Sequence, residues 1–168
     1  MKLMNILGSH FRSNESDRDY IKRKTGWSDE IVNSIGSREE ARVYMKAHLR
    51  EQTVDGRKAL TNPQVKGRER NCDRTWFGKE HPNYRGWSNR DLMGEGYPPH
   101  DRRGDAFELH HIGQRQDSPY AELTWAQHMG GGNNTILHRC GKESEIDRRQ
   151  FEGERSRYWQ ARYSTTKQ

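Results

Sequence analysis

The 168-residue chain carries 30 Lys and Arg against 24 Asp and Glu, a formal net charge of +6, which favours a polyanionic partner, nucleic acid first, although a well-solvated surface also produces it. Leu, Ile, Val and Phe together number only 23, close to the composition of disordered chains, but five Trp and seven Tyr argue for one thinly cored domain whose aromatic rings supply much of the burial. Two cysteines, Cys72 and Cys140, do not imply a disulfide framework, and no apolar run is long enough for a signal peptide or a transmembrane helix, which leaves any export to be directed by something other than a visible signal peptide.

Residues 1–24 lack a sustained period, end in a basic cluster and read as an arm or linker. Residues 25–105 read as accessory helices, a hairpin and loops. Ser28 is placed to cap a short helix, with Asp29 and Glu30 where negative charge is favoured and Gly36 as its stop. Ser37 and Glu40 form a capping box for a second helix, with Ala41, Tyr44, Met45 and Leu49 along one face. Asp55-Gly56 signals a two-residue hairpin. From Thr61 to Asp105 the chain is rich in Gly, Pro, Asn and charge and reads as loop, anchored by Trp76, Phe77, Tyr84, Trp87 and Tyr97.

Residues 106–163 hold the chemical signal. Phe107 to Ile112 is a short strand, Thr124 opens a short helix, and Gly130 to Gly132 break it. Asn134 or Thr135 is placed to cap a helix running through Glu145, and a charged amphipathic helix follows with Ile146, Phe151, Tyr158 and Trp159 as its apolar contacts. Four of the eight histidines, His110, His111, His128 and His138, fall within this stretch. Neighbours on a strand point to opposite faces, so His110 and His111 share a site only where the strand ends or bends, and Gly113 offers the bend. One imidazole can then bind a metal while the other serves as general base, a task its ordinary pKa suits. His138 can return to the same ion, leaving open positions for water and substrate. A structural zinc site on His110, His128, His138 and Cys140 competes with this reading, although no paired Cys-x-x-Cys or His-x-x-x-His knuckle is present. His10, His48, His81 and His100 read as surface residues.

The ordered motifs "ELHHIGQ", "SPYAELTWAQH", "GNNTILH" and "KESEIDRRQFEGERSRYW" resemble the LHH group of the HNH/endonuclease VII nuclease superfamily, which forms C-terminal tips of bacterial polymorphic toxins. "TGWSDEIVNSIGSREEARVYMKAHL" and "VDGRKAL" resemble the segment preceding that motif, so the likeness runs from about Thr25 to Tyr163. It implies an α+β fold: a ββα-metal core with additional N-terminal helices, a small hairpin and a long C-terminal helix. It also implies a divalent cation (Mg²⁺, Mn²⁺, Ni²⁺ or Zn²⁺), DNA as substrate, delivery by a secretion system to the target-cell cytoplasm, and a cognate immunity protein, which the basic charge suggests is acidic.

By position, His110 and His138 resemble the metal ligands and His111 the general base that activates water. His128 falls where the superfamily has the residue that orients the base or the phosphate, and Asn133 and Asn134 compete for that role. A further ligand could be Glu143 or Asp147. Arg102, Arg103, Arg115, Arg139, Arg148, Arg149 and Arg155 are expected to meet DNA phosphates with little sequence reading. Two other expectations stand beside the DNase: an RNase toxin, and a zinc-stabilised nucleic-acid-binding module without catalysis.

Overall fold

The computed structural model describes residues 15–74, 82–138 and 145–166. Three N-terminal helices come first: α1 (Asp17–Thr25), α2 (Asp29–Ser34) and α3 (Arg38–Lys46). Strands β1 (Arg50–Val54) and β2 (Arg57–Thr61) form a hairpin. Helix α4 (Asn89–Gly94) precedes a second hairpin of β3 (Glu108–His111) and β4 (Tyr120–Leu123). Short helices α5 (Trp125–Met129) and α6 (Asn133–Leu137) follow, then the long α7 (Arg148–Thr165). No described helix is long and apolar enough to cross a membrane.

Local signals account for most starts and turns. Ser28 Oγ accepts the Ile31 amide at the start of α2, and Thr124 and Gln127 make a full capping box on α5. At the β1–β2 turn both Asp55 (φ 51°) and Gly56 (φ 73°) are left-handed, the pairing a tight hairpin turn demands. Elsewhere the outcome differs. Residues 17–24, in the stretch read as an arm, are helical, because Ser16 caps α1 and Ile21 buries its side chain against the other helices. Helix α2 ends at Ile35 rather than on Gly36. Ser37 takes the Glu40 amide, but the Glu40 carboxylate turns away to other partners, so that capping box is half made. Leu49 is buried past the end of α3 rather than on its face. The cap of α6 is Gly132, left-handed at φ 83°, in place of Asn134 or Thr135, and that helix stops at Leu137. The stretch after Thr61 includes α4 and short 3-10 turns, while Trp76 and Phe77 lie outside the described residues.

The two hairpins merge into one four-stranded sheet in the order β1-β2-β4-β3. They join through a parallel β2–β4 pairing in which Ala59 faces Tyr120 and Leu60 faces Ala121. Pleating sends alternate residues to opposite faces, and each face has its own core. Leu60, Ala121 and Leu123 pack with Ile31, Val43, Tyr44 and Leu137 under the N-terminal helices. Ala59, Leu109 and Tyr120 pack with Met93, Tyr158 and Trp159 under α7. A thin apolar content thus suffices because two aromatic-rich layers share one sheet.

Glu122 points into the α7 side and is wholly buried. It accepts from the Asn62 amide (2.7 Å), Tyr158 OH (2.8 Å) and Arg162 Nε (2.7 Å). Every oxygen of this buried carboxylate has a donor, the condition under which such a charge is tolerated. The Asn62 side chain extends the network to Gln127 Oε1 at 2.8 Å, which ties α7 and β2 to the start of α5.

Candidate active site

β3 ends on the two histidines. His110 lies on the face of the N-terminal helices, its ring 6.4 Å from that of Tyr44. His111 lies on the other face, between the rings of Tyr120 (4.8 Å) and Phe151 (4.6 Å). Both reach one cleft of about 200 Å³ at the end of the strand, which Leu109, Gln114, His128, His138, Ile146, Arg148 and Phe151 also line. The chain can do this because it turns immediately afterwards. Gly113 is left-handed at φ 68°, and a Cβ there would fall 2.3 Å from the Ser34 carbonyl oxygen. Its amide donates to Glu40 Oε1 at 2.7 Å, while Glu40 also accepts from the Gly36 amide and Tyr44 OH. The accessory helices therefore grip the turn that aims the histidine pair.

His110, His128 and His138 form one group, with a ligand atom from each lying within 4.8 Å of the others. His128 comes from α5, and His138 is the C-cap residue of α6 rather than an early helical one. His128 Nε2 lies 3.1 Å from His138 Nε2. The far nitrogens are held from behind: His128 Nδ1 by the Glu108 carboxylate, and His138 Nδ1 by Asn134 Oδ1 at 2.7 Å. Imidazole ligands are characteristically oriented in this way by a carboxylate or carbonyl on the opposite nitrogen. His110 Nε2 is buried with no hydrogen-bond partner.

Burial disfavours the charged form of two of these rings. Burial pulls His110 well below the ordinary imidazole range, and the neighbouring His128, His138 and His111 add to the effect. Burial and His128 also lower His138. Three imidazoles of which two resist protonation, and one carries an orphaned buried nitrogen, are a donor set suited to a divalent cation. His111 is lowered to about 4, chiefly by burial; Glu154 opposes that shift and Arg57 assists it. Its Nε2 is likewise buried without a partner. Behind it, Tyr120 OH donates to Glu154 Oε2 at 2.6 Å.

Among the other predicted residues, Asn133 donates its side-chain amide to the Gln127 carbonyl and closes the α5–α6 turn, away from the cleft. Asp147 caps α7 by accepting from the Arg149 and Gln150 amides. Arg148 lines the cleft, and Arg149 and Arg155 are exposed along the same helix. Arg115 is exposed and reaches the Asn33 carbonyl at 3.5 Å. Arg102 and Arg103 are exposed on the loop before β3, Arg102 facing Glu69. Arg139, Cys140, Glu143, His10 and His81 lie outside the described residues. His48 is exposed, whereas His100 is buried at 3% exposure rather than on the surface, beside Asn71 and Asn89, which bond its backbone.

Sequence reasoning missed Glu108 and Gln114. The signal for Glu108 was available: it stands two residues before His110 and so shares its strand face. Gln114 reaches the cleft from a left-handed backbone, φ 58°, which its residue type does not announce.

No curated protein and no solved structure matches the chain. Residues 88–165, from the start of α4 to the end of α7, match the family described as LHH, a nuclease of the HNH/ENDO VII superfamily with conserved LHH, and the triplet is Leu109, His110 and His111. This stretch, with the mixed α+β core and the histidine cleft at its centre, is an LHH-type nuclease domain of the HNH/ENDO VII superfamily.

Proposed function

We propose that the protein is a metal-dependent endonuclease that hydrolyses DNA phosphodiester bonds with little regard to sequence, and that it acts as an antagonistic toxin. The observation that carries the catalytic reading is the union, in one cleft, of a three-imidazole group with a separate neutral imidazole, His111. His110, His128 and His138 would hold the cation, so His128 joins the ligand set instead of orienting the base. When bound, a divalent ion supplies charge stabilisation at the phosphate and at the departing 3′ oxygen.

The chain's own groups do the rest. His111 accepts the proton of the attacking water at a ring nitrogen, a role open to it because burial keeps it neutral at physiological pH. Glu108 and Asn134 fix the orientation of two ligand rings. Arg148, at the rim, binds the phosphate, and the exposed Arg149, Arg155 and Arg115 extend that contact along the backbone. Asn133 is a turn-closing residue. For the biological role, the net charge of +6 suits an acidic immunity protein steered quickly onto it, and delivery into a target cell would bring the enzyme to its DNA.

The test is supercoiled plasmid nicking by the wild type and His111→Ala, with Mg²⁺, Mn²⁺, Ni²⁺, Zn²⁺ or EDTA, beside an RNA substrate. Metal-dependent nicking that the folded variant lacks is the expected result. Normal nicking by His111→Ala overturns the mechanism, and cleavage of RNA alone overturns the substrate.

A further inference from the structure

Helix α5 presents Trp125 to solvent at 52% exposure, with Met129 at 38% one turn along. Scattered exposed apolar residues are ordinary, but this one is placed with unusual economy. In a chain this poor in apolar residues an indole is left outside the core. Among the described residues the other exposed large aromatics are engaged by neighbours: Tyr97 OH lies 2.9 Å from Tyr84 OH, and Arg90 stacks on the Tyr163 ring at 4.6 Å. Among the described residues no ring, cation or hydrogen-bond partner engages the Trp125 side chain.

Its helical position relates it to the cleft. Trp125 and His128 are three residues apart on α5, and such pairs are surface neighbours with Cβ atoms roughly 5–6 Å apart. The indole therefore leaves the same short helix as one member of the histidine group, close to the cleft but not among the residues that line it. The helix beneath it is fixed, since the capping box of Thr124 and Gln127 and the bond from Asn62 to Gln127 hold its first turn. Arg148 lines the same cleft from α7. A nucleic-acid strand whose phosphate sits at the histidines would thus meet a cation from α7 and pass near a flat apolar ring on α5. A ring in that place can stack on a base only if the face of that base is free. In closed duplex the faces are covered by neighbouring bases, whereas in single-stranded or locally unpaired nucleic acid they are available.

We infer that Trp125 is a base-stacking residue beside the scissile phosphate, and that the enzyme prefers single-stranded or locally unpaired strands to closed duplex. This rests on the nuclease reading for its placement, but its test does not. A labelled single-stranded DNA oligonucleotide and the same sequence closed as a hairpin duplex are titrated by anisotropy in EDTA, with wild type, Trp125→Ala and Trp125→Phe. The KM and kcat of cleavage are then measured with the cation that supports nicking.

Trp125→Ala is expected to weaken single-strand binding about tenfold, the usual scale of one lost base–aromatic stack. KM should rise in parallel with kcat nearly unchanged, Trp125→Phe should recover most of the loss, and duplex affinity should barely move. Single-strand binding unchanged in Trp125→Ala, or an equal loss on both forms, overturns the inference and assigns the indole to a protein contact. Stacking-dependent binding by a wild type that cleaves neither strand with any ion keeps the base-stacking assignment and the single-strand preference and overturns the nuclease reading. Cleavage indifferent to Trp125 does the reverse.

Discussion

Two buried polar clusters lie on this one sheet, and they are built to opposite standards. Around Glu122 every charge is answered: three donors lie within 2.8 Å of its oxygens, and Arg162, 7% exposed at the side chain, is neutralised. Around His110 and His111 the balance is left open, with both Nε2 atoms buried and unbonded. A satisfied network holds elements together, whereas buried nitrogens without partners are costly unless something else binds them. The difference separates the part of the molecule that makes the fold from the candidate site.

That contrast can be broken from either side. The largest effect is expected on catalysis from His111→Ala: plasmid cleavage should fall about 10²–10⁴-fold, the usual worth of a general base, while the variant stays folded with only the smaller stability loss that the space left between Tyr120 and Phe151 brings. Glu122→Ala should do the opposite. It strands Arg162 without its partner, and a loss of about 3–5 kcal/mol in denaturant unfolding is expected, with any remaining folded protein still able to bind metal.

Smaller changes sharpen the comparison. Glu108→Gln leaves the histidines in place but removes the charge behind His128; metal affinity measured by competition with a chelator should drop about 10–100-fold. The smallest effect is on the acid limb of stability. His110, His111, His138 and His100 all have native pKa values below the ordinary value, mainly through burial. The unfolded chain therefore binds more protons than the native one as pH falls below about 6.5, and stability rises with pH in that window. Metal-free protein should melt progressively lower from pH 6.5 towards the value of about 4 for His111, with little change between pH 7 and 8. A flat melting temperature from pH 7 to 4.5 would contradict the buried, neutral histidines.

Local chemistry was legible in the residues: the Ser28 and Thr124 caps, the Asp55-Gly56 turn and the strand ending on His110 and His111 each follow from side chains a few positions apart. Helix α1 was not, because its charged sequence has no apolar period and its order comes from Ile21 packing on α2 and α3. The β2–β4 pairing and the Glu122 hub join residues some 60 positions apart, and no local pattern encodes that. Within the cleft, the histidines could be found by clustering. Of their supports only Glu108 carried a signal, its place two residues before His110; Asn134 resembles a helix cap and Glu40 a capping-box partner until the fold reveals what each holds.

The parallel β2–β4 ladder also bears on where the gene can be cut. A fragment limited to residues 88–165 would keep all four clustered histidines yet lose β2, exposing the hydrogen-bonding edge of β4 and the apolar side chains Ala121 and Leu123 that Leu60 and the N-terminal helices cover. An open strand edge flanked by bare apolar surface is a template for self-association. The smallest piece that recognisably carries the motif is thus expected to aggregate, and the smallest soluble nuclease should begin upstream of the first hairpin.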